Sequence, residues 1–223
     1  MCMNDEPRGS DQPSTRLSEV EIKLLLLEFL TSRLKSFEHC LAVEAKYAEN
    51  LRRADVLAIT NETIAFEIKS DFDRLDKLPD QLKDYRRTFD KLFVVTTPKH
   101  QRKIRPFLGE NDGLIVVENR ELRVLKEARK NKSILKKNLA AICSRQALSN
   151  ALGAQNRKST VGKLRESAQK KLDVPNLHLL ALAELKQRFM RRYNTFIEES
   201  AIPLRETDLK ALNHSSKFEI NSH

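Results

Sequence analysis

No tryptophan occurs in this 223-residue chain, aromatic residues make up only 6% of it, and there are just five glycines and seven prolines. So small a supply of glycine and proline excludes collagen-like, linker-like and glycine-rich repeat architectures. The scarcity of aromatics argues against a surface built to stack successive unpaired bases. The three cysteines, at positions 2, 40 and 143, are odd in number and widely spaced. They form neither a disulfide framework nor a zinc pattern, and fit small core residues in a reducing, cytoplasmic compartment. Apolar runs are short; Leu24 to Leu27, for example, stops at Glu28, far short of the roughly 20 residues a membrane span requires. Asn4, Asp5, Glu6 and Asp11 stand where a secretory leader would carry a basic head, so a soluble intracellular protein is expected. With no glycine-rich phosphate loop, ATP-driven chemistry within the chain is not expected.

What is abundant is charge. Charged residues make up 32% of the chain and the formal net charge is +10. The excess is confined to one region. Residues 1–127 carry 22 Lys and Arg against 23 Asp and Glu, residues 128–205 carry 17 against 5, and residues 206–223 carry 2 against 3. A near-neutral working domain beside a cationic arm is the footprint expected of phosphate-backbone binding; a solvated lysine-rich helical face is the bland alternative.

Residues 1–15 are polar and expected to be disordered. Ser18 and Glu21 form a capping box for a helix reaching about Phe37, with Val20, Leu24, Leu27, Leu30 and Leu34 as its apolar positions. Strand-like runs follow at Cys40–Tyr47, Arg53–Thr60 and Thr63–Ser70, with a turn at Asn61-Glu62 between the last two. A helix is predicted over about 75–89, a strand over 92–97, a helix over 100–108, and two short strands around the turn Asn119-Arg120. This order describes an α/β fold, a mixed sheet with helices, over residues 16–127. Strand signals then stop. Helices are predicted over 134–152 with Gly153 as C-cap, over 160–172, and from Pro175 through Leu182, Leu185, Phe189, Tyr193 and Phe196. They make a basic all-helical region over 128–205, and 206–223 reads as a flexible tail.

The informative stretch is 52–85. Asp55 stands in an otherwise apolar strand, Ala54, Val56, Leu57, Ala58 and Ile59, where an unpaired carboxylate pays a large desolvation cost. On the next strand Ile64, Phe66 and Ile68 face one side and Ala65, Glu67 and Lys69 the other. Pairing about Asn61-Glu62 brings Glu67 and Lys69 beside Asp55. Two carboxylates and an ammonium at one sheet edge suit metal-assisted phosphodiester hydrolysis. Asp55 and Glu67 offer hard oxygen ligands for Mg²⁺, which Mn²⁺ can replace, and Lys69 can position or deprotonate the attacking water.

Asp55 followed after eleven residues by Glu67-Ile68-Lys69 resembles the PD-(D/E)XK nuclease superfamily, with Ala54 where the name-giving proline often stands. Gln81 and Tyr85, one helical turn apart, match the Gln-x-x-x-Tyr element of its RecB-like members. From about Leu41 to Lys103, with Asp71, Asp73, Leu75, Phe89-Asp90 and Val94-Val95, the chain is similar to a bacterial and phage-borne group of mostly uncharacterised nuclease-like proteins. The resemblance implies a restriction-endonuclease-like core and a catalytic set of Asp55, Glu67, Lys69, Gln81 and Tyr85. It also implies a further acidic metal ligand: Glu44, just before the Asp-bearing strand, is preferred, and Glu28 on the first helix is the alternative.

Other residues carry secondary expectations. Arg52 and Arg53 are placed to touch phosphate or to hold the carboxylates, and Arg157, Lys158 and Lys163 to contact a nucleic-acid backbone. His100 reads as a surface or helix-capping residue. Asp71 and Asp73 read as turn or cap residues, with a second metal shell as the alternative. The expected function is a metal-dependent endonuclease acting on DNA, with RNA not excluded and with a homodimer or a protein partner possible. A catalytically silent nucleic-acid- or partner-binding protein with a nuclease-like fold is the alternative.

Overall fold

The computed structural model describes residues 16–47, 52–153 and 158–213. Among them lie six strands in one mixed sheet and eight α-helices. The segment 1–15 and Arg157 fall outside the described residues. Helix α1 (Glu19–Leu34) opens with Ser18 accepting from the Glu21 N–H while Glu21 reaches back to Ser18, so the predicted capping box is formed. The helix stops three residues short of Phe37, which is exposed.

Strands β1 (Cys40–Tyr47), β2 (Arg52–Ile59) and β3 (Thr63–Lys69) form an antiparallel meander. Helix α2 (Leu78–Arg86) crosses to β4 (Lys91–Thr96), which pairs parallel to β3. Helix α3 (Pro98–Ile104) and a 3-10 turn lead to β5 (Gly113–Glu118), parallel to β4, and β6 (Glu121–Lys126) closes the sheet antiparallel. The sheet order is β1-β2-β3-β4-β5-β6. Asn119 and Arg120 both take positive φ, 51° and 65°, as a two-residue hairpin turn demands. Gly113 is needed for space: a Cβ there would come within 2.2 Å of the Phe93 ring, itself stacked on Phe66.

The alternation read on β3 is realised. Ile64 and Phe66 meet Phe29 and Leu30 of α1 together with Phe93. The opposite face receives α2, through Leu82 and Tyr85, both fully buried or nearly so. Helix α2 is shorter than the predicted 75–89 because Pro79 fixes its first turn and Asp73 caps the loop before it, accepting from the Ser70 N–H and hydroxyl.

Two expectations for the C-terminal part need correction. The helix predicted over 134–152 is two helices, α4 (Lys136–Ile142) and α5 (Arg145–Leu152), because Cys143 is extended and Ser144 caps a new start, accepting from the Ala147 N–H. Apolar periodicity runs across the break, so the serine cap decides the local structure. Gly153 ends α5 at φ 93°, as predicted. Helix α6 (Val161–Lys171) and the long α7 (Val174–Glu199) follow. The second correction concerns 206–223, read as a flexible tail. Residues Glu206–Leu212 form α8, with Leu209 and Leu212 buried against the core, and Asn213 bridges to Val43.

The basic helical region is not a detached arm. Helix α7 lies along β1 at the sheet edge. Arg188 donates to the Lys46 carbonyl, the Tyr193 hydroxyl meets His39 Nε2 at 2.6 Å, and His178 Nε2 meets Asp90 Oδ2 at 2.7 Å. Asp90 is fully buried; burial opposes its ionisation, but the bonds from His178 and Thr63 outweigh it and hold the carboxyl below its usual range. Cys40 and Cys143 are buried free thiols, each pushed up to about 12 by burial, which makes them inert core residues as expected. No helix among the described residues is long and apolar enough to cross a membrane.

Candidate active site

The hydrogen-bonded pairing of β2 with β3 runs from Ile59↔Thr63 to Val56↔Phe66 and stops. Asp55 and Glu67 are the next rung, where the two strands part. Asp55 uses Oδ2 to accept the Ile68 N–H at 2.8 Å, which leaves its Oδ1 for another partner. Glu67 is 1% exposed; its Oε1 holds the Lys69 ammonium at 2.6 Å, and its Oε2 is buried with no hydrogen-bond partner. Glu67 and Lys69 meet because residues two apart on a strand share a face.

This is an expensive arrangement. Although Asp55 keeps some exposure at the strand edge, burial and then the neighbouring Glu67 charge push its carboxyl up to about 8, against the pull of the Ile68 N–H and of Lys23. Burial and a neighbouring like charge thus disfavour the ionised form of Asp55 unless a further cation joins it. A buried carboxylate oxygen without a partner asks for a donor or an ion. One oxygen on each of Asp55 and Glu67 fits a hard divalent cation such as Mg²⁺, which binds through one or two carboxylates and keeps its remaining waters.

Gln81 and Tyr85 sit on α2 above this point. Tyr85 is buried and donates its hydroxyl to the Arg53 carbonyl at 3.1 Å; burial, then the Glu67 and Asp55 charges, raise its pKa well above the usual value, so it remains a donor. The Gln81 side-chain oxygen is buried without a partner. The edge-on rings of Tyr47, Tyr85 and Phe89 fix the helix against the sheet, and the Tyr47 hydroxyl donates to Asp84 at 2.5 Å.

Around the acidic pair lies a network whose key member was not singled out in the sequence. Glu44 takes φ 49°, a left-handed conformation that a non-glycine residue adopts only when its surroundings hold it there. Its Oε1 is hydrogen-bonded and ion-paired to Lys23, while its buried Oε2 lies in ion-pair range of Arg53 without a hydrogen-bond partner. Lys23, buried on α1, also holds Glu19. Burial works against the Lys23 ammonium, but the Glu19 and Glu44 bonds outweigh it and the pKa rises. Glu19, Glu44 and Asp55 bring carboxylate oxygens within 4.8 Å of one another. Lys23 escaped sequence reading because a Glu–Lys pair four residues apart at a helix start is ordinary surface chemistry, and nothing local announces its third partner, 21 residues on.

Of the two acidic candidates, Glu44 is at the site and Glu28 is not: Glu28 accepts the Leu204 N–H at 2.7 Å and so secures the segment before α8. Arg53 pairs with Glu44 and Arg52 with Asp84. Arg52 and Asp84 also line a cleft of about 480 Å³ with Asp80, Lys83, Arg87, Lys137 and Asn138, where α2 faces α4. Lys158, in the turn before α6, and Lys163, in its first turn, are exposed. Among the described residues, no hydrogen bond or ion pair links them to the acidic site. Asp71 is a structural tie, accepting from the Leu17 N–H and the Thr97 hydroxyl, rather than part of a second metal shell. His100 is buried rather than on the surface, and neither ring nitrogen has a partner. Burial, and then Lys99 and Lys103, lower its pKa.

Comparison with known proteins gives three likenesses. The family described as bacteriophage P4 protein cII matches residues 12–214. Protein cII of Enterobacteria phage P4 is 37% identical over 100 residues, which is 44% of this chain. The match spans 38% of the length of that relative. A protein of unknown function from Silicibacter pomeroyi aligns over 74% of this chain and 92% of its own, at 17% identity and a TM-score of 0.37, too loose a superposition to relate the two folds. The family match runs through nearly the whole chain, from before α1 to the end of α8, and on that match the chain belongs to the bacteriophage P4 protein cII family.

Proposed function

We propose that this chain is a metal-dependent nuclease of the PD-(D/E)XK type that hydrolyses phosphodiester bonds of DNA. The observation that carries the reading is the splayed β2–β3 rung: Glu67 buried with an unpartnered oxygen beside Asp55, and Lys69 held on its other oxygen. Asp55 and Glu67 would hold Mg²⁺, or Mn²⁺ in its place. When bound, such an ion lowers the pKa of a coordinated water and neutralises charge on the phosphate.

The chain's own residues supply the rest. Glu67 fixes the Lys69 ammonium at the position where negative charge grows on the phosphorus oxygens, so Lys69 stabilises that charge and can steer the attacking water. Water oxygen bonds to phosphorus, the bond to the leaving deoxyribose oxygen breaks, and the proton released by water passes to solvent as the leaving oxygen gains one. Tyr85 stays protonated and braces the β2 backbone at Arg53, and with it the Asp55 strand. Gln81, on the same face, keeps a buried acceptor available to a substrate or to water. The cleft carrying Arg52, Lys83, Arg87 and Lys137 offers a cationic path for the flanking backbone, and the exposed Lys158 and Lys163 extend the positive surface.

A second reading, a silent binding protein, draws on one observation: the Lys23 ammonium sits on Glu19 and Glu44, filling with a protein cation part of the acidic cluster that a metal would use. Labelled single-stranded, double-stranded and branched DNA, together with RNA, separate the two readings when incubated with Mg²⁺, Mn²⁺ or EDTA. Metal-dependent product from the wild type, lost in folded Glu67→Ala and Lys69→Ala, supports the nuclease. DNA binding without product under every metal supports the silent protein, and product from RNA alone replaces the substrate class.

A further inference from the structure

We propose that Lys23 is a built-in cation standing where a second divalent ion would otherwise bind, so that the site takes one divalent ion per chain. The inference rests on the nuclease reading above, and concerns what makes this version of such a site unusual.

The geometry divides the acidic groups into two sets. On one side, Asp55 Oδ1 and Glu67 Oε2 accept no protein hydrogen bond of ordinary geometry, with the Tyr85 hydroxyl a neighbouring donor to the Glu67 carboxylate. On the other, Glu19 and Glu44 share the Lys23 ammonium, and their oxygens lie within 4.8 Å of an Asp55 oxygen. Lys23 thus bridges Glu19 and Glu44 within the cluster they form with Asp55. An ion in that cluster would have to compete for the same Glu19 and Glu44 oxygens.

Three features separate this from an ordinary surface ion pair. Lys23 is 6% exposed, so its charge has been taken out of water at considerable cost, which a surface Glu–Lys pair never bears. Its partner Glu44 takes a left-handed conformation, φ 49°, at the strand position where its carboxylate meets Lys23. The charges also come close to balance. Glu19, Glu44, Asp55 and Glu67 supply four carboxylates against the cations Lys23, Arg53 and Lys69. One divalent ion therefore leaves the site positive by one charge, ready for one phosphate. Without Lys23 the balance moves by a full unit towards a second cation. Lys23 acts on the reaction through Glu44 and Asp55, and is a positioning residue rather than a catalytic one.

A purely structural Lys23, fastening α1 to the sheet, would affect melting but not the number of ions bound. The test is therefore Mn²⁺ titration of the full chain by calorimetry, with electron paramagnetic resonance to detect two close ions, on wild type, Lys23→Met, Lys23→Gln, Lys23→Arg and Glu67→Gln. The expected stoichiometries are one ion for wild type and Lys23→Arg, none for Glu67→Gln, and two spin-coupled ions for Lys23→Met. Lys23→Gln should behave like Lys23→Met and serves in its place if that variant does not fold. Two ions in wild type, or one ion in both folded neutral variants, overturns the inference while leaving the nuclease reading intact. No ion in wild type removes both.

Discussion

The two regions of the chain use charge in opposite ways. In the α/β core, residues 16–127, the cations nearest the site are committed to carboxylates: Lys23 to Glu19 and Glu44, Arg53 to Glu44, Lys69 to Glu67, Arg52 to Asp84. In the helical region the excess of Lys and Arg over acids leaves Lys158, Lys163, Lys170 and Lys171 exposed. Yet both regions share one hydrophobic core, and the helical region contributes Leu185, Phe189 and Phe196 to it. Near-equal numbers of acids and bases in the core therefore conceal a concentrated site, whereas a large net charge in the helices marks only a surface. The lesson is that net charge marks an exposed surface, whereas internal pairing of opposite charges marks where buried acids are gathered.

Four perturbations break or sharpen that contrast. The largest effect is expected at the paired charges. Glu67→Ala should cut metal-dependent cleavage by about 1,000-fold or more, in line with the loss of a metal ligand or a preorganised electrostatic group, and gel assays with matched circular dichroism would show it. Next is the shared core. Phe189 is 1% exposed on α7, and Phe189→Ala should cost about 3–5 kcal/mol. Urea unfolding should then show one transition shifted as a whole; a shift confined to part of the signal would mean the helical region unfolds by itself.

A third effect follows from Asp55. Its carboxyl rises from an ordinary 3.8 to about 8 in the folded, metal-free protein. Between those values the folded chain holds a proton that the unfolded chain has released, so raising the pH through that window lowers stability. Melting temperature in EDTA should fall from pH 5 to pH 8, and Asp55→Asn should flatten the profile. The smallest effect is expected at the exposed charges. Lys163→Ala should change stability by no more than about 0.5 kcal/mol, but should lower the slope of log affinity for duplex DNA against log salt by about 0.9 if it contacts one phosphate. An unchanged slope would remove Lys163 from the binding surface.

Much of the core could be read without coordinates because each element announces itself locally. Ser18 and Glu21 cap α1, Asn119-Arg120 makes the hairpin turn, and the strict alternation Ile64, Ala65, Phe66, Glu67 sets which side chains of β3 face α1 and which face α2. The proximity of Asp55 to Glu67 follows from the same hairpin. What escaped reading depends on partners far apart in the chain. Lys23 meets Glu44 across two elements, Glu28 turns out to serve Leu204, and α8 forms because Leu209 and Leu212 find a place against the core. The break between α4 and α5 was missed for the opposite reason: Ser144 is a local cap that apolar periodicity overlooks.

The proposed function requires Asp55 and Glu67 to share one divalent cation. Anomalous diffraction from crystals of the full chain soaked in Mn²⁺ tests it most directly. A single strong peak is expected between Asp55 Oδ1 and Glu67 Oε2, with Lys23 still on Glu19 and Glu44. No peak at that position, or a peak among Glu19, Glu44 and Asp55 with Lys23 displaced, would contradict it.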